Sequence, residues 1–258
     1  MNLRPRFGLA VILCISSLLW LAAAARAATE VDLELVLAVD ASGSVDDGEF
    51  ALQLGGIAAA LRDPEVLAAI RSGPTGRIAV TLAVWAEANR PKGALPWRIV
   101  SDASSLAAFA REVETAGRMI PAGGTGIGKA IWFSVGLIER NGIEAPRRVI
   151  DISGDGRETA FREWSVPVGQ ARQIARSRAV TVNGLAILNE EPDLEAYYRA
   201  QVIVGAGAFT LAARTYEDFA AAMRRKLIRE IEYQPEVSQD RPTASPARLA
   251  AGRGDGPD

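Results

Sequence analysis

Histidine is absent from all 258 residues, and cysteine occurs once, at Cys14. Without histidine there is no Ser-His-Asp or Cys-His triad and none of the usual zinc sites. A lone cysteine allows no intramolecular disulfide. Catalysis in this chain would have to use carboxylates, lysine, tyrosine or a metal ion. A basic surplus is missing too: 29 Lys and Arg face 31 Asp and Glu. A mildly acidic chain is a poor nucleic-acid binder.

What is present begins with an export signal. Arg4 and Arg6 precede FGLAVILCISSLLWLAAAA, and Ala25-Arg26-Ala27 follows as an A-x-A cleavage site. This pattern over residues 1–27 is that of a secretory signal peptide. The apolar run is marginal for a membrane anchor. Leu13, just before Cys14, stands where a lipoprotein signal needs a small residue. Cleavage after Ala27 would remove the only cysteine. It would also remove three arginines and no acidic residue, leaving 26 basic against 31 acidic groups, a net charge of −5. The expected location is the periplasm or the extracellular medium, with no membrane span after cleavage.

The remaining chain alternates strand and helix patterns. VDLELVLAV (31–39), RIAVTLAVW (77–85), RRVIDIS (147–153) and VTVNGLAIL (180–188) read as strands buried on both faces. Shorter strands are expected at 97–100 and 207–213. Residues 48–71 carry a helical stripe of Phe50, Leu54, Ile57 and Leu61, with a possible break at Asp63-Pro64. Further helices are expected from Asp102 or Ser104 to about 118, then over 129–140, 168–178, 193–201 and 216–232. Alternation of this kind predicts a Rossmann-like, doubly wound α/β fold, with a mostly parallel central sheet and helices on both faces. One domain spans 28–232. From residue 233 to 258 the chain is rich in Pro, Gly, Ser and charge, too polar to order itself. Arg253-Gly254-Asp255 in that tail, a tripeptide known for integrin recognition, reads as chance in such a composition.

The chemistry lies at strand ends. The first strand runs into Asp40-Ala41-Ser42-Gly43-Ser44, a DxSxS pattern, and the RRVIDIS strand into Gly154-Asp155-Gly156. Open α/β sheets bind ligands beyond the carboxyl ends of their strands. Thr125, in a loop before a helix, can face the same crevice. Two carboxylates and three hydroxyls, with no nitrogen or sulfur donor, suit a hard cation: Mg²⁺, Mn²⁺ or Ca²⁺.

These residues resemble the metal-ion-dependent adhesion site of the von Willebrand factor type A domain. In that family the first motif is DxSxS, the second a lone Thr and the third an Asp, commonly in a T-D-G or S-D-G run. Asp40, Ser42 and Ser44 match the first, Thr125 the second, and Asp155 the third, with one extra glycine between Ser153 and Asp155. The resemblance covers about 31–232 and extends, less specifically, to a group of secreted bacterial members of that superfamily. It implies that the serines and the Thr coordinate the cation directly, with the Asp side chains often acting through water. It implies that a protein or peptide partner supplies an acidic side chain as the last ligand. It also implies, for some members, a shift of the final helix, here 215–232. The expected function is a secreted, metal-dependent binding module and not an enzyme. A metal-assisted hydrolase, or a structural domain with a vestigial site, is the alternative.

The stretch PAGGTGIGKA (121–130) also matches the GxxxxGK spacing of a phosphate-binding P-loop. A P-loop needs a preceding strand and a Ser or Thr directly after the Lys. Here the preceding segment is helical and Ala130 follows Lys129, so the glycines read as a tight turn presenting Thr125. Among other candidates, Trp85 and Trp132 fit core patterns. Arg157, Glu158, Phe161, Arg162, Glu163 and Trp164 lie in a loop that can shape partner choice. Asp151 has an uncertain facing and is left out of the site. Arg224-Arg225-Lys226 reads as the solvated face of the last helix.

Overall fold

A computed structural model describes residues 29–159 and 165–232. The signal segment, the tail after 232, and Phe161, Arg162, Glu163 and Trp164 fall outside the described residues.

Two buried runs set the architecture. Strand β2 (Leu33–Asp40) and strand β3 (Ile78–Trp85) are buried at all eight positions each. A strand apolar on both faces is stable only between two layers, because each exposed Leu, Ile or Val side chain would forgo roughly 1.5–3 kcal/mol. With β7 (Arg148–Gly154), β8 (Thr181–Ile187) and β9 (Thr210–Ala213) they form a parallel core in the order β3-β2-β7-β8-β9. Two short strands, β4 (Gly93–Ala94) and β5 (Arg98–Val100), cap the outer edge of β3 antiparallel. A separate parallel pair joins β1 (Thr29–Glu30) to β6 (Ile143–Glu144).

Helices cover both faces. Leu35, Leu37 and Val39 face a layer of α1 (Asp47–Leu61), α2 (Pro64–Arg71), α3 (Ala103–Glu114) and α7 (Phe219–Glu232). Val36 and Ala38 face α4 (Ile127–Glu139), α5 (Val168–Ser177), α6 (Leu194–Tyr197) and the π-helical turn Tyr198–Val202. The doubly wound fold expected from the sequence is thus present. The chain leaves β2 first toward β3 and later returns on its other side as β7. That reversal puts the topological switch point between β2 and β7, where a crevice opens at the strand carboxyl ends.

Local chemistry sets the boundaries. The stripe over 48–71 is two helices, because Asp63 caps the second through the Glu65 N–H and Pro64 takes its first position. Helix α3 ends at Glu114, short of the expected 118. Gly117 and Met119 beyond it have φ of 62° and 57°, which no helix accommodates.

One charge assignment is corrected. Lys226 is fully buried rather than solvated. Its Nζ lies 2.7 Å from Asp151 Oδ1 on β7 and 2.5 Å from Glu230 Oε1 one turn along α7. The Asn183 amide donates to the same Glu230 oxygen at 2.8 Å. Arg224 does stay at the surface, paired with Asp63 and Glu65 of α2. Asp151 is therefore spent on tying α7 to the sheet. Burial raises its carboxyl above the usual range, since the ammonium pulling it down is shared with Glu230.

Breaking this cluster strands buried charge. Lys226→Met should lower unfolding free energy by about 3–5 kcal/mol in urea denaturation. Asp151 holds its proton more tightly folded than unfolded, so its contribution is fully present below the ordinary carboxylate pKa near 4 and falls as pH rises above it. In paired melts across pH, wild type should accordingly lose ground to Asp151→Asn as pH increases from about 4.

Candidate metal centre

The three motif segments meet at the switch point. Asp40 closes β2, Asp155 follows directly on β7, and Thr125 sits two residues before α4. Asp40, Ser42 and Asp155 are wholly buried, Thr125 is nearly so, and Ser44 is exposed on the open side. The Ser44 hydroxyl donates to Asp155 Oδ1 at 2.8 Å, and the Ser42 and Ser44 hydroxyl oxygens lie 3.2 Å apart. The Ser42 N–H donates to Asp40 Oδ1 at 2.7 Å. The Gly43 N–H donates to the Gly123 carbonyl at 2.7 Å, joining the DxSxS loop to the Thr125 loop. Thr159 pins Thr125 twice: it donates its N–H to the Thr125 carbonyl at 2.9 Å and accepts the Thr125 N–H at 2.8 Å. A Cβ added at Gly156 would stand 3.5 Å from Thr125 Oγ1, so this hydroxyl lies beside the Asp155 loop.

These side chains are not consumed by ordinary structural roles. Helix α1 is capped by Asp46, whose side chain accepts the Glu49 N–H in a reciprocal capping box. Asp40, Ser42 and Ser44 are surplus to that task. Helix α4 has Gly126 in the cap position and no side-chain cap hydrogen bond, so the Thr125 hydroxyl does not cap it.

The electrostatics fit a cation. Asp40 Oδ2 is buried without a hydrogen-bond partner. Burial and the neighbouring Asp155 charge push the Asp40 carboxyl up to about 8, against the pull of its Ser42 hydrogen bonds and of Arg118. Two buried carboxylates this close repel unless positive charge lies between them. Among the described residues, no group of three His, Cys, Asp or Glu is placed to hold a metal ion. A cation here would rest on hydroxyl and carboxylate oxygens together, which suits a hard divalent ion.

The glycine stretch before α4 has its own explanation. It is preceded by α3 and a turn, not by a strand. A Cβ at Gly126 would come within 2.7 Å of the Ala88 nitrogen and 2.8 Å of the Ala86 carbonyl, so the loop needs glycine to lie against the segment that follows β3.

Several supporting residues gave no signal in the sequence. The buried Gln53 amide on α1 donates to the Asp40 carbonyl at 3.1 Å. The Tyr216 hydroxyl donates to Asp155 Oδ2 at 3.0 Å. Tyr198 brings a buried hydroxyl toward Asp40 across Gly154, where an added Cβ would meet Asp40 Oδ2 at 2.6 Å and the Tyr198 hydroxyl at 3.0 Å. These tyrosines come from segments after β8 and β9, far from any motif. Nearby, Arg157 pairs with Glu191 and Asp193 and stacks on Tyr197, tying two loops of this face together. Trp85 is core as expected. Trp132 is not: it is 44% exposed, with Lys129 Nζ 3.8 Å from its ring centre, because it sits on the outer side of α4.

The fold is that of a von Willebrand factor A-like domain. The chain belongs to the family described as "Protein of unknown function (DUF1194)", whose profile matches residues 30–235. No curated protein matches the chain. Among solved structures it is similar to the pilus adhesin SpaC from Lactobacillus rhamnosus GG, at 12% identity and a TM-score of 0.54, over 78% of this chain and 31% of that one. It is similar to the von Willebrand factor domain of the type V pili tip protein from Porphyromonas gingivalis, at 12% identity and a TM-score of 0.51, over 78% of this chain and 95% of that one. It is also similar to proximal thread matrix protein 1 from the mussel byssus, in a structure with a zinc-occupied metal-ion-dependent adhesion-site motif. That match has 13% identity and a TM-score of 0.51, over 78% of this chain and 46% of that one. The chain thus spans less than half of the adhesin and of the byssus protein. At these identities the likeness is one of fold.

If Asp40 is held for a cation, it is a liability without one. Asp40→Asn should raise the stability of EDTA-treated protein, on the order of 1 kcal/mol at pH 8, by removing a buried charge that lacks a partner. Differential scanning calorimetry of the two proteins checks this. An Asp40→Asn protein less stable than wild type in EDTA would mark the carboxylate as structural.

Proposed function

We propose that the protein is an exported binding module whose cation site comprises Asp40, Ser42, Ser44, Thr125 and Asp155. The observation that carries this reading is the pairing of unspent oxygens. Asp40 Oδ2 is buried without a partner beside hydroxyls that cap nothing, at the switch point of the sheet. The serine and threonine hydroxyls coordinate Mg²⁺ or Mn²⁺, with Ca²⁺ the less compact fit, and the carboxylates balance its charge. Two carboxylates and neutral hydroxyls leave room for one more anionic ligand. The open side at Ser44 is where an acidic side chain of a protein or peptide partner reaches the ion. The adhesin, pili-tip and byssus proteins of similar fold support a role in adhesion rather than turnover.

Export follows from the 1–27 signal pattern. Among the described residues no helix is long and apolar enough to cross a membrane. The domain would work in the periplasm or outside the cell, as a module of about 28–232 with the 233–258 tail as an extension.

A ligand bound only by the folded state stabilises it by RT ln(1 + [L]/Kd). With a millimolar site, about 10 mM Mg²⁺ or Mn²⁺ should add roughly 1.4 kcal/mol, a shift of a few degrees in Tm over EDTA-treated protein. Asp40→Ala should show no shift. An equal shift in both proteins would place the cation elsewhere. Turnover of ester or phosphoester substrates that disappears in Asp40→Ala would favour the hydrolase instead.

A further inference from the structure

The turn between α3 and α4 carries an arginine that grips the DxSxS loop from both sides. The Arg118 Nη1 group donates to the Ala41 carbonyl at 2.9 Å, and Nη2 donates to the Val45 carbonyl at 2.8 Å. These carbonyls flank Ser42, Gly43 and Ser44. The Nε group donates to Asp47 Oδ1 at 3.2 Å, and the guanidinium lies 5.2 Å from the centre of the Phe50 ring. Only 20% of the Arg118 side chain is exposed. A guanidinium is a rigid fork of donors, so two carbonyls bound at its two ends are fixed relative to each other.

The backbone on both sides of Arg118 lies in the left-handed region, at no cost for Gly117 but with strain at Met119. Gly117 has φ of 62°, and Met119, which has a side chain, has φ of 57°. A non-glycine residue in the left-handed region persists only where its surroundings enforce it, and such residues cluster at functional sites. The Arg118 carbonyl accepts the Ile120 N–H at 2.6 Å, closing the turn. Met119 itself is 41% exposed, so its own burial does not explain the strain. The turn lays the Met119 side chain over Gly93, buries Ile120 and brings Arg118 against the DxSxS loop.

Electrostatics alone would argue against an arginine here. Its charge stands near Asp40 and opposes a cation, so its presence beside a cation site needs a geometric reason. We propose that Arg118 is a positioning residue for the cation site: its fork holds the Ala41–Val45 loop so that the Ser42 and Ser44 hydroxyls converge with Asp155. This rests on the cation-binding reading above and names the device that shapes the site.

The two roles predict opposite signs. If Arg118 acts only through charge, Arg118→Gln binds Mn²⁺ more tightly and Arg118→Lys is unchanged. If it positions the loop, both variants bind more weakly, by about tenfold or more, as for other groups that orient metal ligands. The experiment is calorimetric titration of Mn²⁺ into the full exported chain, wild type against both variants, with circular dichroism to establish folding. Weaker binding by folded Arg118→Lys, whose charge is kept, supports the inference even if Arg118→Gln fails to fold. Equal or tighter binding by folded Arg118→Lys overturns it. A wild-type protein that binds no Mn²⁺ overturns the cation reading itself, and the inference with it.

Discussion

Two buried carboxylates with no positive charge between them, Asp40 and Asp155, set the terms for everything around the switch point. Neither sits there by accident of packing: one ends β2, the other follows β7, and the two strands are hydrogen-bonded neighbours. Nearly every polar group nearby is turned toward them. Ser44 and Tyr216 donate to the two oxygens of Asp155, the Ser42 N–H and the Gln53 amide serve Asp40, and Thr159 fixes Thr125 alongside. Even so, one Asp40 oxygen has no hydrogen-bond partner. A hydrogen-bonding network this developed would ordinarily leave no buried carboxylate oxygen unpaired, because each unmatched group destabilises the fold.

The same strand carries a contrasting solution. Four residues before Asp155, Asp151 is also buried, yet Lys226 of α7 stands 2.7 Å away and supplies the charge. Asp151 on β7 thus faces a buried ammonium, whereas one oxygen of Asp40 at the end of β2 has no hydrogen-bond partner. The two ends are joined through one segment. Tyr216 holds Asp155 just ahead of α7, while Lys226 and Glu230 hold Asp151 and Asn183 further along that helix. The docking of α7 and the shape of the crevice are therefore fixed by the same stretch of chain.

Much of this was legible in sequence because burial leaves periodic traces. VDLELVLAV and RIAVTLAVW read as strands buried on both faces, and the sheet they form puts DxSxS and Asp155 at strand carboxyl ends. Asp63-Pro64 marked a break in the helical stripe, and the structure starts a second helix there. The strands of two residues were harder: β1, β4 and β6 are too short to carry a pattern. Lys226 was misread because a lysine beside two arginines resembles a solvated face, and only the fold places Asp151 opposite it. Trp132 was misread in the other direction, since an apolar helix does not reveal which side meets solvent. Arg118 and Tyr216 were invisible for a simpler reason: they reach over 77 and 61 residues of chain to the atoms they bond, and Tyr198 likewise comes from a segment remote from every motif.

The central claim is that oxygens from three separate segments converge on one cation. Anomalous diffraction from a crystal equilibrated with Mn²⁺ tests it at atomic level. The account predicts a single strong peak among the hydroxyls of Ser42, Ser44 and Thr125, at about 2.0–2.4 Å from those that coordinate directly. A peak elsewhere, or none at a Mn²⁺ concentration that stabilises the protein in solution, would contradict it.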